Sequence, residues 1–181
     1  MATALHSKQF LSHVRKELDT LRPAPVIGFV WESIMYRSLK ATSTKAVYWN
    51  PASTISGVDI RHDGVAYSLK TKKKTTPIAT VSSYKLQRCK TEKDAVAEID
   101  SHNFDLYSIL TRDDTLLYGL YVIPSHLTMA KRFYWDYSDC GKFMTDTRDG
   151  ISMEISGFGR SRAKKQLWIT VDFAQYEDLF L

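Results

Sequence analysis

In the first part of the chain, the positions expected to face the core repeat with the spacing of an α-helix. Between residues 25 and 39 the core-facing positions follow an i, i+3, i+4, i+7, i+8 pattern, which predicts one buried helix face. These positions are Trp31, Ile34, Met35, Ser38 and Leu39. An earlier helix is predicted to end before Pro23, because the residue before a proline avoids helical backbone. Its apolar positions are Phe10, Leu11, Val14, Leu18 and Leu21.

After residue 56 the apolar residues repeat at every second position instead of every third or fourth, and this change predicts a β-hairpin. Asp63 and Gly64 stand between two runs in which apolar and polar residues alternate. An Asp-Gly pair at such a place favours a two-residue type I′ turn. Counting outward from the turn gives the expected cross-strand pairs: His62 with Val65, Ile60 with Tyr67, Asp59 with Ser68, and Val58 with Leu69.

The two faces of this hairpin differ in polarity. Side chains alternate across a strand, so Ser68 and Lys70 are expected on the same face as Asp59. The other face is expected to pack into the core; it carries Val58, Ile60, Val65, Tyr67 and Leu69. A carboxylate, a hydroxyl and an ammonium group on one open face could converge on a bound ion or phosphate. His62 is expected at the surface, at the end of its strand.

The middle of the chain predicts further sheet and one more helix. Apolar runs at 104–110 and 116–123 flank a polar turn at 112–114, and they predict a second hairpin that extends the sheet. Residues 83–99 are expected to be helical in part, with a capping signal at Thr91 and the acidic residue three positions later. Near-continuous apolar strands favour a sheet that is covered on both faces.

The last third of the chain predicts more strands, at 132–137, 151–156 and 166–172. The predicted fold class is α/β, with a mixed central β-sheet flanked by helices and extra C-terminal β-strands. At 181 residues the chain fits a single domain. Its core is expected at about 26–123 and its β-rich elaboration at about 131–181.

The chain has a net charge of +5, and its positive charge is concentrated in three clusters. The clusters are Lys70, Lys72, Lys73 and Lys74; Lys85, Arg88, Lys90 and Lys93; and Arg160, Arg162, Lys164 and Lys165. Separate basic patches favour a polyanion held along its length, because each neutralised phosphate releases counterions. Any single cluster is more commonly a solubilising surface. The first and third clusters are expected to bind DNA, with base readout by Arg160 or Arg162; for the third cluster the alternative is a mobile surface hairpin.

Other classes of protein are disfavoured by the sequence. Cys89 and Cys140 have no paired spacing and no nearby histidines, so neither a disulfide framework nor a zinc site is indicated. The charged N-terminal segment differs from the apolar core of a signal peptide. No apolar run approaches the roughly 20 residues that span a bilayer. The chain is expected to be cytoplasmic, without a membrane partner.

The hairpin resembles the PD-(D/E)XK nuclease superfamily, whose signature is an Asp on one strand and an acid, any residue and a Lys on the next. The resemblance covers about residues 26–123, and it assigns the catalytic positions to Asp59, Ser68 and Lys70. It implies a restriction-endonuclease-like core, two acids that hold Mg²⁺, for which Mn²⁺ can substitute, and a lysine that acts on the water or the phosphate. This chain departs from the pattern, since no proline precedes Asp59 and Ser68 replaces the second acid. A hydroxyl is a poorer ligand for Mg²⁺ than a carboxylate.

The resemblance therefore requires a displaced second acid. Glu32 is the first candidate for the catalytic and metal-binding role, because several nuclease families of this type carry a Glu on the helix that precedes the Asp strand. Glu92 and Glu98 are the alternatives, since some restriction endonucleases with Ser-X-Lys recruit an acid from elsewhere. Glu32 considered alone is as well explained as a surface residue paired with Arg37 or Lys40.

The function implied by this resemblance is Mg²⁺-dependent, sequence-specific cleavage of double-stranded DNA, as in type II restriction endonucleases. A small domain with an elaborated C-terminal part suits a homodimer that cuts both strands of a palindrome. A companion methyltransferase that acts on the same site would be a further partner. The alternatives are a structure-specific or homing nuclease, a junction resolvase, and a catalytically silent DNA-binding module that lost its second acid at Ser68.

Overall fold

The computed structural model describes residues 3–49, 57–139, 141–158 and 165–181. Its helices are α1 (Lys8–Leu21), α2 (Gly28–Thr42) and α3 (Glu92–Asp100). Its strands are β1 (Val47–Trp49), β2 (Ile60–His62), β3 (Val65–Lys73), β4 (Ile78–Lys85), β5 (Leu106–Arg112), β6 (Tyr118–Pro124), β7 (Trp135–Asp136), β8 (Lys142–Thr145), β9 (Ile151–Ser156) and β10 (Gln166–Asp172). Within these ranges, no helix is both long and apolar enough to cross a bilayer.

Five strands form a mixed sheet in the order β1-β2-β3-β5-β6. Strands β3 and β5 run parallel, whereas the other neighbours in this sheet are antiparallel. The predicted second hairpin is formed by β5 and β6, and it extends the sheet beyond β3. The mixed α/β class is therefore confirmed.

Helices α1 and α2 cover one face of the mixed sheet. All five positions predicted for the core-facing stripe of α2 are buried. They pack with α1 and with apolar residues of the sheet, among them Tyr67 and Leu69 of β3. Helix α2 begins at Gly28, three residues after its predicted start, because Ile27 has extended backbone and serves as the N-cap. This layer fixes α2 above the strands that carry the candidate site.

A second five-stranded sheet covers the opposite face of the mixed sheet. It is antiparallel throughout, with the order β4-β10-β9-β8-β7. Its inward side chains, such as Val81 and Leu167, share one hydrophobic cluster with Ile109 and Ile123 of the mixed sheet. The fold is therefore layered as helices, mixed sheet and antiparallel sheet, with the predicted extra C-terminal strands in the last layer.

The sequence predicted some strands of the second sheet correctly and missed others. Strands β9 and β10 have the predicted bounds, whereas the strand expected at 132–137 shortens to Trp135–Asp136. Strands β4 and β8 were not predicted. In β4 the buried residues Ala79 and Val81 alternate with threonine and serine, so the strand lacks a strongly apolar pattern.

Helix α3 shows the predicted capping box, but it is shorter than the segment expected to contain it. The Thr91 hydroxyl accepts the Asp94 N–H at 3.1 Å, and the Asp94 carboxylate accepts the Thr91 N–H at 2.9 Å. Such reciprocal bonds satisfy donors that a helix start leaves unpaired. Residues 83–85 belong instead to β4.

The first hairpin has the predicted turn. Asp63 and Gly64 both have positive φ, 49° and 78°, as a type I′ turn requires. The pairs Ile60 with Tyr67 and His62 with Val65 are confirmed. The expected exposure of His62 is wrong: the residue is 3% exposed, because its strand lies between β1 and β3, and its Nε2 is 2.9 Å from the Ser43 hydroxyl.

Candidate active site

Asp59 leaves the strand ladder just before β2. Its N–H donates to the Tyr67 carbonyl at 2.8 Å, although Tyr67 is already the partner of Ile60. Its side-chain Oδ2 accepts the Leu69 N–H at 2.5 Å. The predicted pairing of Asp59 with Ser68 is therefore wrong, because a one-residue shift brings the carboxylate of Asp59 to the backbone of β3.

The same shift separates Val58 from the face predicted for it. Val58 is partly buried against the cluster between the two sheets, whereas Ile60, Tyr67 and Leu69 pack on the helix side. Strict alternation therefore stops at Asp59. Asp59 lies where the backbone shifts by one residue against β3. This shift directs the Asp59 carboxylate towards the edge of β3.

One edge of β3 is unpaired beside Asp59. Strand β2 pairs with Val65–Tyr67 only, whereas β3 continues to Lys73. In the described part of the chain, no strand pairs with residues 69–73 on this side. Among the described residues, this part of β3 is therefore a free sheet edge beside the Asp59 carboxylate.

Lys70 lies at this edge and contacts Asp59. Its Nζ is 3.7 Å from Oδ2 of Asp59, and its side chain is 16% exposed. Burial lowers the pKa of Lys70, while the negative charges of Asp59 and Glu32 act in the opposite direction. The acid and the amine that the sequence singled out are therefore brought together.

Glu32 extends from α2 towards the same two residues. Burial raises its pKa above the usual range; the hydrogen bond from Trp49 opposes this rise, the charge of Asp59 adds to it, and Lys70 lowers the pKa. Glu32 does not pair with Arg37, which binds Glu17 at 2.6 Å, or with Lys40. Two carboxylates and one ammonium group thus interact electrostatically in one place, although they come from α2, β3 and the segment before β2.

Trp49 holds the carboxylate of Glu32, a role that the sequence did not indicate. The indole Nε1 donates to Oε2 of Glu32 at 3.3 Å. The indole ring also contacts Tyr36 and Phe29 of α2, with centroid distances of 5.1 and 5.8 Å. A tryptophan on a short strand carries no local signal for this contact, since it depends on how β1 packs beside α2.

Ser68 occupies a different environment from the one predicted. It is fully buried, and its hydroxyl has no hydrogen-bond partner among the described residues. Its register partner in β5 is the buried Tyr107. The second sheet covers this face of β3, so the expectation of an open polar face is wrong at Ser68.

The two alternative acids lie elsewhere. Glu92 and Glu98 are on α3, and both are exposed. Their charges act on Tyr137 and Cys89 respectively. The structure therefore brings Glu32, rather than either of these residues, to Asp59 and Lys70.

The predicted DNA-binding lysines of β3 differ in their surroundings. Lys73 pairs with Asp114 at 2.5 Å, and Lys74 donates to the Tyr121 hydroxyl at 2.7 Å. Lys72 has no acidic partner among the described residues. Lys165 donates to the backbone carbonyl of Cys89. The other predicted contacts of that cluster lie outside the described residues; they are Arg160, Arg162 and Lys164.

The site offers carboxylate oxygens, the kind of ligand that Mg²⁺ binds. Among the described residues there is no group of three or more His, Cys, Asp or Glu side chains that could hold a metal ion. Asp59 and Glu32 provide two carboxylates. Mg²⁺ in proteins is commonly bound by one or two carboxylates, with water and substrate phosphate as the remaining ligands. The residues present therefore fit a magnesium ion that is shared with a phosphate.

Comparison with known proteins found structural likeness at low sequence identity. No protein-family model matches the sequence, and no curated protein matches it. A solved structure described as "Restriction endonuclease in complex with substrate DNA" is similar to this chain with a TM-score of 0.45 and 20% sequence identity. The match covers 92% of this chain and 82% of the other. A likeness at this level does not assign a function to this chain.

Proposed function

We propose that this protein is a metal-dependent endonuclease that hydrolyses phosphodiester bonds of double-stranded DNA. The observation that carries the proposal is the contact of Asp59 with Lys70 at the unpaired edge of β3, with Glu32 interacting with both residues. Acids that bind a cation and an amine that faces a phosphate are the groups that this reaction requires. Two acids and a lysine are thus partly buried together, as a site for a cation and a phosphate requires.

Asp59 and Glu32 would hold the metal, either Mg²⁺ or Mn²⁺. The bound ion would supply an activated water and neutralise charge on the phosphate. Each acid raises the cost of ionising its neighbour, and a shared cation relieves that repulsion. The pKa of Glu32, raised by burial and further by the charge of Asp59, would fall when the cation binds.

Lys70 would stabilise the negative charge that develops on the phosphate. Asp59 positions the ammonium group, and both acids favour its charged form against the effect of burial. A preorganised cation in a partly dehydrated site stabilises developing charge more strongly than one in water. Ser68 is proposed to orient a neighbouring group, because it lies two residues before Lys70 on β3.

The finer proposal is a sequence-specific enzyme of the type II restriction kind that acts as a homodimer. Lys72 and Lys73 end β3 beyond the site and Lys74 follows them, so they would contact phosphates on one side of the cut. Arg160, Arg162, Lys164 and Lys165 are proposed as a second DNA contact. A methyltransferase of the same specificity would protect the host DNA.

A second candidate function is DNA binding without cleavage. It is favoured by Ser68, which stands where the resembled superfamily has its second acid. One assay separates the two functions: plasmid DNA is incubated with the protein and Mg²⁺, Mn²⁺ or a chelator. Discrete fragments that require metal support the nuclease, whereas retarded but intact plasmid under all three conditions overturns it.

A further inference from the structure

Each of the two candidate acids has one side-chain oxygen that is bonded within the protein. Oδ2 of Asp59 accepts the Leu69 N–H at 2.5 Å and lies 3.7 Å from Nζ of Lys70. Oε2 of Glu32 accepts the indole N–H of Trp49 at 3.3 Å. The second oxygen of each acid, Oδ1 or Oε1, has no hydrogen-bond partner among the described residues. Within that part of the chain, each carboxylate therefore has one bonded and one unbonded oxygen.

The indole of Trp49 is fixed by its ring and by its backbone. The ring contacts Tyr36 and Phe29 of α2 at centroid distances of 5.1 and 5.8 Å, within the range at which aromatic pairs stabilise each other. The backbone is held in β1, where Trp49 is the register partner of Ile60 in β2. These contacts keep the indole N–H directed at Oε2 of Glu32.

We propose that Trp49 is a positioning residue that makes the site selective for Mg²⁺ or Mn²⁺ over Ca²⁺. The inference rests on the proposed function and deepens it, since it names a residue that sets the choice of metal. With Oε2 bonded to the indole, Glu32 binds a cation through Oε1 alone. With Oδ2 bonded to the Leu69 N–H, Asp59 binds the same cation through Oδ1 alone.

The two classes of cation differ in what they take from a carboxylate. Mg²⁺ requires six ligands at about 2.0–2.1 Å and is commonly bound by one or two carboxylates, with water and phosphate completing the set. Ca²⁺ takes about six to eight oxygens at about 2.3–2.6 Å and uses carboxylates with one or both oxygens. Two carboxylates that give one oxygen each suit the first cation, and they do not offer Ca²⁺ the additional oxygens that it can use. Release of Oε2 of Glu32 would supply one more.

A second tryptophan provides a matched control for loss of the indole donor. The indole N–H of Trp168 donates to the Ser156 hydroxyl at 2.9 Å, between β10 and β9 of the second sheet. This bond has the same donor as the bond of Trp49, but its acceptor is not one of the candidate acids. Replacement of either tryptophan by phenylalanine keeps an aromatic ring and removes the N–H.

The test measures cation affinity directly in wild type, Trp49→Phe and Trp168→Phe. Electron paramagnetic resonance reports free Mn²⁺, and titration with Mg²⁺ or Ca²⁺ gives the affinity of each cation by displacement of bound Mn²⁺. Glu32→Gln defines the part of the signal that belongs to this site. The ratio of the Mg²⁺ and Ca²⁺ affinities is the readout, because any change common to both cations cancels in it.

Trp49→Phe should bind Mg²⁺ about tenfold more weakly, because loss of a partner that orients a metal ligand commonly costs about 10–100-fold in affinity. Its affinity for Ca²⁺ should be unchanged or higher, since Oε2 of Glu32 becomes free to bind. The ratio should therefore shift towards Ca²⁺ in Trp49→Phe and stay at the wild-type value in Trp168→Phe. If Trp49 only supported folding, both cations would bind more weakly by the same factor, and that result overturns the inference.

Wild type gives a second measurement that requires no folded variant. Hydrogen exchange of the Trp49 indole N–H, followed by NMR, should be as slow with Mg²⁺ as without metal, because the bond to Oε2 persists while Oε1 binds the cation. Faster exchange with Mg²⁺ would mean that both oxygens of Glu32 turn to the cation, and it would overturn the inference.

The outcomes separate this inference from the proposed function. Metal-dependent plasmid cleavage combined with an unchanged affinity ratio in Trp49→Phe overturns the inference and leaves the nuclease intact. Wild type that binds no more Mn²⁺ than Glu32→Gln also overturns the inference. If the plasmid then stays intact with every metal as well, the proposed function is overturned with it.

Discussion

Oδ2 of Asp59 lies 3.7 Å from the Lys70 ammonium and accepts the Leu69 N–H at 2.5 Å. One carboxylate oxygen thus fixes the position of two neighbouring groups on β3. The other oxygen, Oδ1, has no hydrogen bond to any described residue. A substitution of Asp59 is therefore expected to change the position of the Lys70 ammonium as well.

Asp59→Asn and Lys70→Ala should each reduce metal-dependent plasmid cleavage by at least about 100-fold, because removal of one charge-stabilising group commonly costs that much. Binding to a duplex, measured by anisotropy, should change less than about threefold. Lys45→Ala is the matched control, since Lys45 forms an exposed pair with Asp63 at 3.7 Å. Wild-type cleavage in both site variants would refute the site.

Glu32→Gln should abolish cleavage as Asp59→Asn does, and it should leave the metal-free protein as stable as wild type or more stable. The pKa of Glu32 is raised in the folded state. Its contribution to stability is therefore full below the unfolded pKa and is lost as pH rises through the folded pKa. Gln avoids this loss at neutral pH and still accepts a bond from Trp49. Urea unfolding at pH 7.5 measures the change; marked destabilisation would instead give Glu32 a structural role.

Ser68→Ala should raise the free energy of unfolding by up to about 1 kcal/mol, because it removes a buried hydroxyl that lacks a partner among the described residues. Ser108→Ala is the matched control, since Ser108 is the other described residue with such a hydroxyl. Both variants should respond alike in urea unfolding. Only Ser68→Ala should slow cleavage if Ser68 orients a group in the site, and equal cleavage rates in the two would remove that role.

The rate of cleavage should fall at both ends of the pH range. Glu32 must be ionised to bind metal, and its raised pKa moves the acidic limb to higher pH than an ordinary carboxyl would give. Lys70 must be protonated to stabilise the phosphate, and its lowered pKa moves the basic limb to lower pH. Initial rates across pH 5–10 measure the two limbs, at Mg²⁺ concentrations well below saturation, because a saturating cation would displace the proton from Glu32. In Lys70→Arg the basic limb should disappear, since arginine stays charged.

His62 should make stability depend on pH in the mildly acidic range. Burial lowers its pKa in the folded state. Its contribution is therefore full above the unfolded value of 6.5 and is lost as pH falls through the folded pKa. Urea midpoints between pH 5 and 7.5 should drop less in His62→Asn than in wild type. The exposed His126, changed to Ala, should leave the wild-type dependence unchanged.

Several elements could be predicted because their signals are local. The core-facing positions of α2 follow from a helical period, and all of them are buried. The type I′ turn follows from Asp63 and Gly64, since the turn requires two positive φ angles. Strands β9 and β10 show the two-residue period over their whole length. The choice of Asp59 and Lys70 also came from the hairpin, and the structure brings the two into contact.

Features that join distant segments could not be predicted in this way. The contact of Trp49 with Glu32 depends on the packing of β1 beside α2, and the burial of Ser68 depends on a second sheet assembled from strands far apart in sequence. The one-residue shift of Asp59 out of the strand pairing likewise could be seen only in the folded backbone. Local periodicity and turn chemistry thus determined the buried face of α2, the first turn and strands β9 and β10, but they gave no signal for β4 or β8. Only long-range packing decided which polar groups are buried, paired or open to a ligand, because these states depend on neighbours brought together by folding.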